Sequence, residues 1–132
     1  MKTFIVISAV LATLAAVGYF LATGSGKPIS ADLSVIGQGK PTLVLAYENF
    51  SPTGGEALNR LRRIQSDFES RLEFVVADLG TPHGRAFAER HEFHNAQALF
   101  LSQDGQALQV TGIPEDDQEL RDHLEATLRA VE

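Results

Sequence analysis

The chain contains no cysteine. That absence excludes structural disulfides, thiolate metal sites and thiol–disulfide exchange, because each depends on a cysteine thiolate. It leaves the compartment open, since a cysteine-free protein is viable in oxidising and reducing surroundings alike. A surplus of positive charge is missing as well. Lys+Arg 11 against Asp+Glu 17 gives a net charge of −6, and the one dense basic cluster, Arg60, Arg62 and Arg63, is interleaved with Glu56 and Asp67. This pattern is a solvated helix face, and no nucleic-acid partner is expected. The sequence has no repeat, no low-complexity tract and no Gly-x-Ser-x-Gly nucleophile elbow. What remains is 132 residues with a normal hydrophobic share of 44%, enough for one small domain and one appendage.

The appendage is N-terminal. Phe4 to Ala22 carries no charge, Lys2 precedes it, and Tyr19 and Phe20 sit near its far end. A helix of that length spans roughly 28 Å, close to the ~30 Å hydrocarbon core of a bilayer. A cleaved signal peptide, with Ala22 and Gly24 at the −3 and −1 positions, competes with an uncleaved anchor. The run exceeds the ~7–15 residues of a secretory h-region, and the aromatic residues suit a membrane interface. The expectation is therefore a signal anchor over residues 1–23 that contacts the bilayer through residues 4–22. Lys2 favours an N-terminus in the cytoplasm. That predicts a single-pass protein of a bacterial inner membrane with its C-terminal domain in the periplasm. Residues 24–39 form a linker with a possible edge strand at Leu33–Ile36, and residues 40–132 form the domain.

Within the domain, hydrophobic periodicity sets the order of elements. Thr42 to Tyr47 and Leu72 to Leu79 are short apolar runs, as buried strands should be. Gly55 to Ser70 places Leu58, Leu61, Ile64 and Phe68 at helical spacing, and Thr53 with Glu56 forms a capping-box pattern at its start. Pro82 to His91 predicts a short helix. Ala98–Leu101 and Leu108–Gly112 flank Asp104-Gly105, a hairpin signal. Pro114 is expected to open a last helix, with Glu115, Asp116 and Asp117 in its first turn and Leu120, Leu124, Leu128 and Val131 on its apolar face.

This order, and the stretch from Lys40 to Gly54, resembles the thioredoxin-like superfamily. Leu43 to Ile64 follows that family's strand, active-site turn and helix without a gap. Tyr47 and Phe50 fall where the family has tryptophans, Ser51 and Gly54 where it has its cysteine pair, and Leu45 where it has a buried acid. Leu99 to Leu101 with Asp104 and Gly105 match its later strand and hairpin turn, which puts Gln97 at its cis-proline. The resemblance covers residues 41 to 113 and extends to the last helix. It implies an α/β thioredoxin-like fold, βαβ-α-ββα, with a central mixed sheet flanked by helices, which the transmembrane helix expected from the uncharged N-terminal run would precede. It also implies that the family's redox chemistry is lost, since all four redox positions have changed together. Accessory proteins of hydrogenase maturation are similar in keeping this fold without the cysteine pair.

Four sites are conceivable from the residues. Ser51 with His94 as base is a candidate nucleophile, against a plain turn-and-cap role for Ser51 and Thr53. His83, His91 and His94 have the ligand chemistry for zinc or copper, but their spacing matches no standard motif. Ser51 to Gly55 offers backbone N–H groups to an anion, with Glu56 opposing it. The fourth is a partner-binding face of Tyr47, Phe50, Ser51, Pro52, Thr53, Gly54, Phe93 and Gln97, because aromatic anchors dominate interface energetics. The last is adopted. The expected protein is a redox-inactive, membrane-tethered binding module, an accessory or assembly subunit of a membrane complex. It is not an enzyme, has no cofactor and has a protein partner at the membrane. The alternative is a metal carrier or non-thiol enzyme built on the histidines.

Overall fold

Strand β1, Thr42–Tyr47, is the axis of the domain. Leu43, Val44, Leu45 and Ala46 are all buried, so both faces of the strand are covered. This is why it reads as an unbroken apolar run and not as an alternation. The computed structural model describes residues 28–131. In it β1 pairs in parallel with β2 (Glu73–Asp78) and antiparallel with β3 (Gln97–Leu101), which pairs antiparallel with β4 (Ala107–Gly112). The sheet order is β2-β1-β3-β4.

Helices α1 (Pro52–Ile64) and α3 (Asp117–Val131) cover one face. Leu58, Leu61, Ile64, Leu120, Leu124 and Leu128 pack there against Leu43, Leu45, Phe74 and Phe100. Helix α2 (Pro82–Arg90) covers the other face with Phe87 and Ala88, against Val44, Val75 and Leu99. The mixed four-stranded sheet with three helices follows the order read from the sequence. Ion pairs tie α3 to its neighbours: Arg63 to Asp117 at 2.9 Å and Arg121 to Asp67 at 2.9 Å. Being exposed, each contributes only about 0–1 kcal/mol.

Element ends differ from expectation wherever a polar side chain decides them. Leu33–Val35 is a turn of 3-10 helix and not an edge strand, because the Asp32 carboxylate caps it by accepting from the Ser34 N–H at 3.0 Å. The edge of β2 is met instead by Ser30, through a parallel bridge to Val75 in which the Val76 N–H donates to the Ser30 carbonyl at 2.9 Å. Helix α1 starts at Pro52, with Ser51 and not Thr53 as its cap. Proline suits that first position because it has no N–H to leave unpaired. The helix stops at Ile64, and a 3-10 turn, Gln65–Asp67, carries Phe68 into the core. Helix α3 starts three residues after Pro114, where Asp116 accepts from the Glu119 N–H at 2.9 Å. Among the described residues no helix is long and apolar enough to cross a membrane. The expected anchor, residues 4–22, lies outside them.

Candidate functional site

The C-terminal end of β1 feeds a turn, Glu48 to Ser51, that opens α1. The Ser51 hydroxyl accepts from the Gly54 N–H at 3.3 Å, as an N-cap should. It also accepts from Nδ2 of Asn95 at 2.8 Å. The same carboxamide accepts from the Glu48 N–H through Oδ1, at 2.9 Å. Asn95 therefore spans the gap between the loop before β3 and the turn after β1, using both ends of its amide. The loop is held there at a cost. Glu92 and Ala96 both have positive φ, 56° and 68°, a region in which non-glycine residues are uncommon. The Ala96 N–H is kept in place by the Ala46 carbonyl at 2.9 Å.

Gly54 shows what the clasp displaces. A Cβ built on Gly54 would lie 2.5 Å from Asn95 Oδ1 and 3.3 Å from the Glu48 carbonyl oxygen. The volume that a side chain at position 54 would need is filled by the carboxamide of Asn95. No family model matches the sequence, and neither does any curated protein. Solved structures do. Residues spanning 68% of this chain superpose on 83% of the germline-specific thioredoxin Deadhead of Drosophila melanogaster, with a TM-score of 0.56 and 14% identity. A chain from a structure on the thiol-resolving mechanism of yeast mitochondrial 1-Cys peroxiredoxin matches with a TM-score of 0.60 and 15% identity, over 77% of this chain and 98% of that one. Fasciola hepatica thioredoxin gives a TM-score of 0.55 and 12% identity, over 68% and 83%. The fold is thioredoxin-like.

The chain has no cysteine, so thiol chemistry is absent because the thiolate is absent. Serine catalysis has no support either. Both groups on the Ser51 oxygen, the Gly54 N–H and Asn95 Nδ2, are donors, and neither can take a proton as a general base must. For an anion the stretch Ser51 to Gly55 has few donors to offer. Pro52 has no N–H, and the N–H groups of Gly54 and Gly55 already donate to the Ser51 hydroxyl and carbonyl. The histidines are divided between two surface grooves that flank α2. His83 and His91 border one, with Asp32 and Arg90, while His94 borders the other, with Glu48 and Glu89. Among the described residues no three potential ligands converge. The His91 ring packs against Phe87 with centroids 4.6 Å apart and the two planes tilted by 51°. Burial there, helped by the neighbouring Arg90 charge, pushes its pKa below the ordinary histidine value.

The partner-binding residues separate by exposure. Phe50 is 80% exposed, and Pro52 and Thr53 beside it are exposed too. Tyr47 packs partly against the core. Gln97 turns inward on its own loop, its Oε1 accepting from the His94 N–H at 2.9 Å. Phe93 is 2% exposed and meets Phe87 edge-on at 6.0 Å. Its place on an exposed face is therefore corrected: the loop needs an apolar foot in the α2-side core, and Phe93 supplies it. Sequence reasoning passed over Asn95 altogether. The available signal was a glycine at position 54 with no turn of its own to serve, which marks a backbone approached by something else.

Proposed function

We propose that this chain is a non-catalytic, thioredoxin-fold binding module, tethered to a membrane through residues 4–22, that presents the turn Phe50 to Thr53 to a protein partner. The observation that carries this reading is Phe50. It is the most exposed large hydrophobic side chain of the described residues, and it sits on a turn fixed by the Ser51–Asn95 clasp. A solvent-facing aromatic on a fixed turn has few rotatable bonds to order on binding and can bury a large apolar area, which is what an interface anchor requires. The accessory or assembly role, at the outer face of a bacterial inner membrane, rests on the uncharged N-terminal run.

The test uses the full chain in detergent-solubilised membranes. Truncating an anchor costs ~2 kcal/mol or more of binding, about thirtyfold in affinity. Phe50→Ala should lower recovery of the co-purified partner by that order while leaving the melting temperature unchanged. Equal recovery by wild type and Phe50→Ala would remove the turn from the interface.

A further inference from the structure

The N-terminal stretch and the Phe50 turn are joined to opposite ends of the sheet. Pro28 to Ser30, the first described residues, run alongside β2. Ser30 forms a parallel bridge with Val75, and the Val76 N–H donates to the Ser30 carbonyl at 2.9 Å. A parallel neighbour runs in the same direction, so Pro28, two residues ahead of Ser30, lies toward Glu73, the first residue of β2. A surface groove that Pro28 shares with Ser70, Leu72 and Glu73 marks the same end. Glu73 is paired with Thr42, the first residue of β1. Phe50 follows Tyr47, the last residue of β1. The six residues of β1, at ~3.3 Å each, therefore set Phe50 roughly 17 Å or more from Pro28 along the strand direction.

We infer that the domain is held with its Glu73 end toward the bilayer and Phe50 toward the water, so that the turn meets a protein segment standing clear of the headgroups and neither a lipid surface nor a transmembrane helix. The inference rests on the tether proposed above and adds its direction. Reach is the first reason. Ala22 ends the uncharged run, and residues 23–27 separate it from Pro28. Even fully extended, at ~3.3–3.6 Å per residue, the six steps from Ala22 to Pro28 cover only about 20 Å. The headgroup layer occupies about 5–7 Å of that, which keeps Pro28 within roughly 15 Å of the headgroup surface. Turning the domain over would place Phe50 between Pro28 and the bilayer, and those ~17 Å exceed the reach. Charge is the second reason, and it acts against a domain lying flat. The chain's net charge of −6 includes Lys2 and Lys27, both ahead of Pro28, so the domain itself is more acidic still. An anionic leaflet repels such a surface, most of all where much of it comes close. The groove beside the turn is part of that surface, with Glu48, Glu89 and Glu92 set against Arg85 and His94.

The test uses the full chain, whose lack of cysteine allows one label per molecule. Thr53→Cys marks the turn end and Ser70→Cys the tether end, and both residues are exposed. Each variant is labelled with the same fluorophore and reconstituted into vesicles of phosphatidylcholine and phosphatidylglycerol that contain a lipid with a nitroxide on its headgroup. The label at position 70 should lose several-fold more fluorescence to the nitroxide than the label at position 53. Equal quenching at the two positions, or stronger quenching at position 53, overturns the proposal. A carbonate wash separates this failure from failure of the tether. Protein retained on the vesicles with equal quenching removes the direction alone, whereas protein that washes off removes the tether and the direction with it.

Discussion

Two phenylalanines flank the Ser51–Asn95 clasp, and they sit in opposite surroundings. Phe50, on the turn after β1, is 80% exposed, and Phe93, in the loop before β3, is 2% exposed. The difference lies in what each segment needs. The turn is held by polar groups, the Ser51 cap and the two bonds of Asn95, so its aromatic is left free. The loop carries two residues at positive φ, and the burial of Phe93 offsets that strain. Residue type at a family position therefore does not fix a role; the local means of support does.

The comparison is broken most forcefully by truncation. Phe93→Ala should cost about 3–5 kcal/mol of stability, as large-to-small changes in a packed core do, whereas the same change at Phe50 should leave thermal unfolding where it is. Comparable melting losses in both variants would mean that the turn and the loop are supported alike.

A smaller effect addresses the clasp. Asn95→Ala leaves the partly buried Glu48 N–H without its acceptor, at about 1–3 kcal/mol. It also empties the space beside Gly54. A Ser51→Cys, Gly54→Cys pair should close poorly against the native Asn95. Adding Asn95→Ala should raise the ratio of oxidised to reduced protein in a glutathione buffer roughly tenfold, which corresponds to ~1.4 kcal/mol. Identical redox titrations in the two backgrounds would show that the carboxamide does not hold that volume.

The smallest effect belongs to the α2 side. The pKa of His91 is lowered in the folded chain, mainly by burial, so the unfolded chain binds more protons as pH falls. Stability should therefore be complete above the ordinary histidine pKa of about 6.5 and decline below it. Asp117 and Glu125 are lowered by hydrogen bonds from Arg63 and Arg71, and they act in a separate, more acid window. Between pH 7 and 5, His91→Gln should flatten the slope of the unfolding midpoint. An unchanged slope would assign it elsewhere.

The order of elements was legible because it depends on runs of apolar residues. β1 and β2 are buried on both faces, and Leu58, Leu61 and Ile64 repeat at helical spacing. Element ends were less so, since Asp32, Ser51 and Asp116 act through single hydrogen bonds that periodicity does not register. The turn ahead of α1 was legible from the apolar run of β1 and the helical repeat that follows it, and Phe50 on that turn is exposed. Asn95 was not, because it lies more than forty residues beyond Ser51 in sequence (|i−j|=44) and reaches it only after folding. Phe93 was misplaced for the same reason: local sequence does not say whether a loop aromatic faces water or the core.

The Ser30 bridge has a consequence for association. A sheet with two bare, regular edges can add strands at both ends, and nothing then limits the length of the ribbon. Here the Ser30 carbonyl holds the Val76 N–H in the middle of the outer edge of β2. At the other end, the register shift in the β3–β4 ladder interrupts the regular pleat of β4. The short stretch ahead of the 3-10 turn thus acts as a chain terminator at the β2 end of the sheet.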